Sequence, residues 1–172
     1  ENCPAYTSAL DLSGCENMRE VYARGSGITA VTLPSGGMLE KMELPRGITN
    51  LTLRNQTNLT DAGLLLESVE NISTVWIENV SGIDSIALVE RCMDSDNSAL
   101  ERVRLVGIDS SSKNLNTLVG LMSLSGLDEK GNNIGRAVVT GKYHVVKAYA
   151  DTLPSIREAF PDLEITYDVL AD

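Results

Sequence analysis

A short apolar motif recurs along this chain, and it constrains the fold more than any other feature of the sequence. Each copy has the form apolar-x-x-apolar-x-apolar, where x is any residue. The full copies begin at Met18, Ile28, Leu39, Ile48, Ile72, Leu100 and Ile134. An apolar-x-apolar core is typical of a short strand, because successive side chains of a strand point to opposite faces. A chain that repeats such a unit buries its apolar edges by stacking the units.

Turn-forming residues follow the early copies and should end their strands after a few residues. They occupy positions 13–14, 25–27, 34–37 and 45–47 and are rich in Gly, Pro and Ser. When every second early copy is taken, the coils begin at Leu10, Val31, Leu51, Val75, Val103, Ala137 and Ile165. The copies left over predict short return strands at Val21 and Met42. The sequence thus predicts about seven coils of the backbone.

Later returns are longer and have helical spacing. Apolar residues recur three or four positions apart in 61–72, 84–93, 114–124 and 147–160. The predicted apolar faces are Leu65, Leu66, Val69 and Ile72; Ile86, Val89 and Met93; Leu115, Leu118, Val119 and Met122; and Tyr149, Leu153, Ile156 and Phe160. Asp84 and Asn114 precede two of these helices, Asp84 as a candidate N-cap. Pro154 should either kink the last helix or begin it.

These patterns predict an α/β fold with one domain over residues 1–172. Strand–strand coils should occupy residues 1–58, and strand–helix coils should occupy residues 59–172. The strands of successive coils should form a parallel sheet. Because helices are wider than strands, this sheet should lie on the concave side.

The repeat resembles that of leucine-rich repeat proteins, whose pattern is L-x-x-L-x-L-x-x-N/C-x-L. Residues 10–18, LDLSGCENM, match it best and place Cys15 at the asparagine/cysteine position, as a core residue. Gly36, Gln56, Val80 and Ile108 hold that position elsewhere, so the asparagine ladder between neighbouring coils is predicted to be missing.

The short glycine-rich turns and the segment GKYHVV…AFPDLEITYD resemble leucine-rich repeat modules of bacterial surface proteins and phage virions. This resemblance implies a solenoid that serves as a recognition or structural module. It also implies a location in a virion or at a cell surface.

Composition and motifs exclude several classes of function. The formal net charge of −10 argues against a nucleic-acid partner or an anionic membrane surface. No apolar stretch approaches the roughly 18 residues of a membrane helix. His144 is the only histidine, and no nucleophile, phosphate-loop or dinucleotide motif occurs, so we expect no enzyme and no cofactor. Residues 94–97 lack the glycine and distal glutamate of a calcium loop, and no metal is expected.

Two features leave alternatives open. Cys3 and Cys15 can form a disulfide in an oxidising compartment, or Cys15 is simply a core thiol. Five asparagines satisfy the N-x-[ST] pattern, which would matter on a eukaryotic secreted protein. They are Asn50, Asn55, Asn58, Asn71 and Asn79. In a bacterial or phage protein they have no such meaning.

The strongest functional indication is the row of side chains that strand alternation turns outward from the predicted sheet. The row contains Asp11, Thr32, Thr52, Arg54, Trp76, Glu78, Arg102 and Arg104, and Lys142 and His144 continue it if the next strand extends. Trp and Arg dominate binding hot spots. We therefore predict a binding site of Thr52, Arg54, Trp76, Glu78, Arg102, Arg104 and His144. The alternative is that Trp76 only stacks on Arg104 as surface packing.

The sequence as a whole predicts a non-enzymatic binding or adhesion module of a phage virion or bacterial surface protein. Its partner would be a protein or a glycan, recognised through the concave sheet. The alternative is a structural subunit that packs against neighbouring subunits. The oligomeric state stays open.

Overall fold

Parallel strands and three helices build the described part of this chain, which confirms the predicted α/β class. The computed structural model describes residues 9–60, 69–94, 100–124 and 137–172. The chain divides into two compact units, Glu1–Leu100 and Glu101–Asp172.

In the first unit, alternate strands pair with each other up to the fifth strand, which pairs with the next one, the sixth. The strands are β1 (Leu10–Asp11), β2 (Glu20–Tyr22), β3 (Ala30–Thr32), β4 (Lys41–Glu43), β5 (Asn50–Arg54) and β6 (Thr74–Glu78). The order β1-β3-β5-β6 forms one parallel sheet, and β2-β4 forms a second. The chain therefore passes back and forth between two sheets, and the predicted return strands at Val21 and Met42 are confirmed.

The strand register places equivalent apolar residues side by side. Leu10 lies opposite Val31, Val31 opposite Leu51, and Leu51 opposite Val75. Val31, Leu51 and Val75 are at most 5% exposed. The return strands contribute buried Val21 and Met42. Aliphatic rows from both sheets thus form the core of this unit, as the coil spacing predicted.

Helix α1 (Ser85–Asp94) follows β6 and confirms the predicted capping at its start. The Asp84 carboxylate accepts hydrogen bonds of 3.1 Å from the backbone amides of Ile86 and Ala87. These bonds satisfy amides that the first turn of a helix leaves unpaired. Ile86 and Val89 are buried as predicted. Of the helix predicted over 61–72, residues 61–68 lie outside the described residues, and so does most of the 94–97 segment.

The second unit has much longer strands than the sequence predicts. It contains β7 (Arg102–Ser112), α2 (Asn116–Met122), β8 (Ala137–Tyr149), α3 (Leu153–Ala159) and β9 (Leu163–Ala171). The three strands are 11, 13 and 9 residues long and pair in the order β7-β8-β9. The expectation of short strands throughout is wrong here. Gly107 and Gly141 do not end these strands. Both have positive φ and lie inside β7 and β8, at a bulge between the two strands.

The last predicted copy of the motif is out of register. A regular stack would place Ile165 beside Ala137, but Ile165 lies opposite Tyr143. Ala137 pairs with Val103 on the other neighbouring strand. The reason is the length of β8, because β9 pairs with its second half, from Gly141 onward.

Both helices of the second unit differ in detail from their predicted faces. Leu115, just before α2, and Leu118 are buried as predicted, but Val119 is 44% exposed. The helix buries Thr117 and Leu121 as well. Tyr149 is not helical, because β8 continues to that residue and leaves it exposed. Pro154 lies in the first turn of α3, where its missing amide costs no hydrogen bond. None of the helices in the described ranges has the length and apolar character needed to cross a membrane.

Candidate functional site

The first part of the predicted row of outward side chains, from Asp11 to Glu78, lies in the first unit. Asp11 lies opposite Thr32, Thr32 opposite Thr52, and Thr52 opposite Trp76. On both sides of Trp76 the strand residues Val75 and Ile77 are buried, so the indole points to the other face. Trp76 is partly exposed, as predicted.

Arg54, Trp76 and Glu78 form a connected group, here called the Trp76 cluster. One carboxylate oxygen of Glu78 accepts a hydrogen bond of 3.2 Å from the indole Nε1 and one of 3.1 Å from Nε of Arg54. The Arg54 guanidinium carbon lies 4.9 Å from the centroid of the Trp76 ring. Both contacts follow from the register, because Arg54 and Glu78 are directly opposite each other on β5 and β6.

The Trp76 cluster fixes orientation more than it adds stability. The side chains of Arg54 and Glu78 are 43% and 23% exposed. Exposed ion pairs of this kind contribute about 0–1 kcal/mol, and an exposed cation–π contact contributes about 0.5–1 kcal/mol. A side chain that is already held in one rotamer loses less entropy when a partner binds. The cluster is therefore a preorganised aromatic and charged surface.

The remaining predicted site residues lie in the second unit. Arg102 and Arg104 are exposed on β7. The neighbour of Arg104 on β8 is Val138, whereas His144 lies opposite Ser111, seven residues further along β7. His144 points outward between buried Tyr143 and Val145, as predicted, but it lies further along the strands and not beside Arg104. The cause is again the unexpected length of the strands.

His144 belongs to a separate polar group on β8 and β9. Its Nδ1 lies 2.9 Å from Oγ1 of Thr166, and its Nε2 lies 3.3 Å from Oδ1 of Asp168. The side chains of His144 and Asp168 are 43% and 60% exposed, so water competes for these contacts. Within the described residues no group of three His, Cys, Asp or Glu side chains is placed to hold a metal ion.

The loops that follow β3, β5 and β6 are joined by amide side chains, contrary to the predicted absence of such a ladder. The fully buried Gln56 donates from Nε2 to the backbone oxygens of Pro34 and Arg54. One position earlier, Asn55 donates to Ser35 Oγ at 3.2 Å, and Asn79 donates to Asn55 Oδ1 at 3.1 Å. The ladder is thus shifted by one residue, and Asn55 and Asn79 adopt the positive φ that Asn tolerates well.

This ladder gives the asparagines of the N-x-[ST] patterns a structural role. Asn58 and Asn71 also donate to backbone oxygens of the preceding coil, those of Gly37 and Arg46. A side-chain nitrogen that holds two coils together is poorly placed to carry a glycan.

The cysteines differ sharply in environment. Cys15 is exposed, so its assignment to the repeat core is wrong. It follows a turn in which Asp11 accepts a hydrogen bond from the Ser13 amide, and hydrogen bonds from Ser13 hold the pKa of Asp11 below its usual value. Cys92 is buried on α1, and burial raises the pKa of its thiol to about 11. Cys3 lies outside the described residues.

A groove beside β2 and β4 is a concave feature that the sequence reasoning missed. It has a volume of about 640 Å³ and is lined mainly by Tyr22, Arg24, Glu43 and Arg46. The motif copy that begins at Met18 could have indicated it. Ala23 points inward in that copy, so its neighbours Tyr22 and Arg24 must point outward.

Comparisons with known proteins add no relative. No protein family, curated protein or solved structure matches this chain. The resemblance to leucine-rich repeat proteins therefore depends on the sequence: the repeat spacing, the match of residues 10–18, the glycine-rich turns and the segment GKYHVV…AFPDLEITYD. Function has to be inferred from the geometry of the surfaces.

Proposed function

We propose that this chain is a leucine-rich-repeat-type module that binds a protein or glycan partner without catalysis. The binding surface is the outer face of β5 and β6, centred on Trp76. We place the module in a larger phage virion or bacterial surface protein, as the sequence resemblance implies.

The coil geometry of the first unit supports the repeat assignment. Equivalent residues of successive coils are 20 to 24 positions apart, from Val31 to Leu51 to Val75, and they are paired in parallel register. Backbone contacts repeat on the same steps, because the Thr49 amide donates to Thr29 O and the Ser73 amide donates to Thr49 O. Such coil-to-coil bonding is what a stacked repeat requires.

The Trp76 cluster is the observation on which the binding proposal depends. The only tryptophan of the chain is partly exposed on a strand, with one charged group over its ring and another at its edge. Indole and guanidinium groups combine large contact area with directional donors. Thr52, opposite Trp76, extends the surface with a hydroxyl.

The single tryptophan makes the proposal directly testable. We would screen the protein against an array of bacterial surface glycans and against immobilised cell-envelope proteins. For any ligand bound, saturation should change the fluorescence of Trp76, and Trp76→Ala should weaken binding at least about tenfold. Tyr149→Ala, which removes an exposed aromatic ring of the second unit, is the matched control.

The outcome that contradicts the proposal is a ligand whose binding neither alters the fluorescence nor depends on Trp76. Arg54→Ala should reproduce part of the loss, because the indole would no longer be covered by the guanidinium. Arg102→Ala and Arg104→Glu test the exposed face of β7 separately. If substitutions in the Trp76 cluster lower stability but leave binding unchanged, the cluster is surface packing only.

A structural role in an assembly is the second candidate, favoured by an apolar surface in the second unit. Five large apolar side chains near the ends of β8 and β9 are 37–54% exposed: Val146, Tyr149, Tyr167, Val169 and Leu170. Tyr149, Tyr167 and Val169 have register positions on the same face and form the apolar group, whereas Val146 and Leu170 have positions on the other face. Apolar side chains grouped on a surface mark contact regions more often than scattered ones do. This role predicts a fixed copy number in purified particles.

The matched variants are Val169→Asp and Val119→Asp, since both valines are exposed but only Val169 lies in the apolar group. If the surface packs against neighbouring subunits, Val169→Asp lowers incorporation into particles and Val119→Asp does not. Equal incorporation of both variants rules out this surface as the contact.

A further inference from the structure

The groove beside the return strands has a construction that differs from the Trp76 cluster. Tyr22 on β2 lies opposite Glu43 on β4. Ala23, the next residue along the chain, is buried. Tyr22 and Glu43 therefore project from the outer face of this two-stranded sheet. Gly25 and Gly47 also line the groove, where the chain turns away after each strand.

The turns hold the groove in shape through local contacts. Gly25 has a φ of 73°, and both the amide and the hydroxyl of Ser26 donate to the backbone oxygen of Ala23. The Ala23 amide in turn donates to Glu43 O at 2.8 Å, which ties the first turn to the second strand. A groove built from bonded turns is present before any ligand arrives, and this lowers the cost of binding.

Two arginines and one carboxylate, that of Glu43, line the groove, and the Tyr22 hydroxyl donates to Glu20 at 2.9 Å. Arg24 and Arg46 are exposed, and neither forms an ion pair within the described part of the chain. Arg19 on the same pair of coils is different, since it pairs with Glu40. The chain as a whole has a net charge of −10, so two guanidinium groups in one groove, both unpaired within the described residues, stand out. They favour the binding of an anionic group at this position.

We propose that this groove binds an acidic saccharide, with a sugar carboxylate held by Arg24 and Arg46. The ring of Tyr22, which is 54% exposed, offers an apolar face for the sugar ring, while the half-buried Glu43 accepts hydrogen bonds from sugar hydroxyls. The volume of about 640 Å³ lies within the range of small-ligand sites and exceeds what a lone carboxylate fills. The site is independent of the Trp76 cluster.

The chemistry of the four side chains favours a saccharide over an acidic peptide. A peptide of carboxylates would gain from Arg24 and Arg46 but would be repelled by Glu43. A saccharide carries its charge at one position and neutral hydroxyls at the others, so it satisfies both arginines and Glu43.

The test is a titration of the whole protein, followed by ¹⁵N NMR and calorimetry, with a disaccharide that contains glucuronic acid. Its methyl ester, which removes the charge by adding one methyl group, and a hexamer of glutamate are the comparison probes. We expect the acid to shift the amide signals of residues 22–26, 43, 44, 46 and 47. We expect the ester to bind at least about tenfold more weakly.

Substitutions of the two groove arginines test whether they hold the sugar carboxylate. Arg24→Gln and Arg46→Gln should each weaken binding of the acid about tenfold or more, whereas Arg157→Gln makes the same charge change in the second unit and should not. Trp76→Ala should leave binding intact. Equal binding of acid and ester, equal loss in Arg157→Gln, tighter binding of the glutamate hexamer, or no shifts at all would each overturn the proposal.

Discussion

The two units use the same parallel pairing but hold it in different ways. In the first unit the strands have two to five residues, and the loops between them are bonded from coil to coil by Asn, Gln, Ser and Thr side chains. In the second unit the strands have 9 to 13 residues, and long backbone ladders, interrupted by the bulge between β7 and β8, do most of the pairing. Short strands therefore need polar loops that stack, whereas long strands carry their own hydrogen bonds.

This difference has a consequence for binding surfaces. A bonded loop gives a fixed turn, and such turns follow the strands that carry the groove and the Trp76 cluster. The long strands of the second unit instead leave apolar side chains exposed on their ends, such as Val169. Each unit thus presents a different kind of surface.

Glycine replacement should give the largest effect and test both units at once. In the first unit, Gly82 has a φ of 73° and a Cβ there would lie 1.9 Å from Leu59 O. In the second, Gly141 has a φ of 116° and a Cβ would lie 2.3 Å from Ile108 O. Gly82→Ala and Gly141→Ala should each lower the free energy of unfolding by about 3 kcal/mol or more.

The control is Gly36→Ala, because a Cβ at Gly36 has no atom within 4 Å. Urea denaturation followed by circular dichroism measures all three variants. If Gly141→Ala were as stable as Gly36→Ala, the bulge between β7 and β8 would not be a tight approach of the two backbones.

Gln56 tests whether the bonded loops matter to the first unit. Gln56→Glu replaces a donor by a carboxylate that faces the carbonyl oxygens of Pro34 and Arg54, so the free energy of unfolding should fall by about 3 kcal/mol at pH 7. The loss should shrink at pH 4, where the protonated carboxyl donates again. Gln56→Leu should cost less, because Oε1 has no partner in the described part of the chain.

An exposed amide gives the comparison for that experiment. Asn116→Asp makes the same chemical change at the start of α2 and should be nearly neutral at pH 7. Equal stability of Gln56→Glu and Asn116→Asp would show that the buried amide is dispensable.

Asn55 separates backbone strain from hydrogen bonding in the ladder. Asn55→Ala loses the bonds to Ser35 and Asn79 and places Ala at a φ of 54°, so we expect a loss of about 2 kcal/mol. Asn55→Gly loses the same bonds without the strain and should cost about 1 kcal/mol less. Asn50→Ala, which removes only a bond to Thr49, serves as the control. A Gly variant less stable than the Ala variant would contradict this assignment.

The smallest effect on stability is expected for the cysteines, whose difference is measured by the reactivity of their thiols. The pKa of Cys92 is raised to about 11 by burial, so in a Cys3→Ser, Cys15→Ser variant a maleimide at pH 7.5 should react only after unfolding. Because folding favours the protonated thiol, its contribution to stability is complete below pH 9 and is lost as the pH rises toward 11. Restoring Cys15 should add one rapidly labelled site. Rapid labelling of Cys92 in the folded protein would contradict its burial.

Much of the first unit was predictable, because alternation and turn residues act locally. The sequence pattern identifies Val21 and Met42 as return strands, Asp84 as an N-cap, and Trp76 as an outward residue. It does not place the ladder, because whether Asn55 or the residue after it bridges two coils depends on the backbone of both coils. The groove also escapes a local pattern, because its lining residues come from two separate segments, 22–26 and 43–47.

In the first unit the sequence by itself determined which residues form strands, which side of each strand is apolar and where the turns fall, because these follow from the period of two and from glycine and proline. Only the tertiary structure decided how far β7, β8 and β9 extend and where they pair. Strand ends and register depend on hydrogen bonds to a neighbour that is distant in sequence, and no local pattern specifies that neighbour. For this reason Ile165 lies beside Tyr143, and His144 lies apart from Arg104.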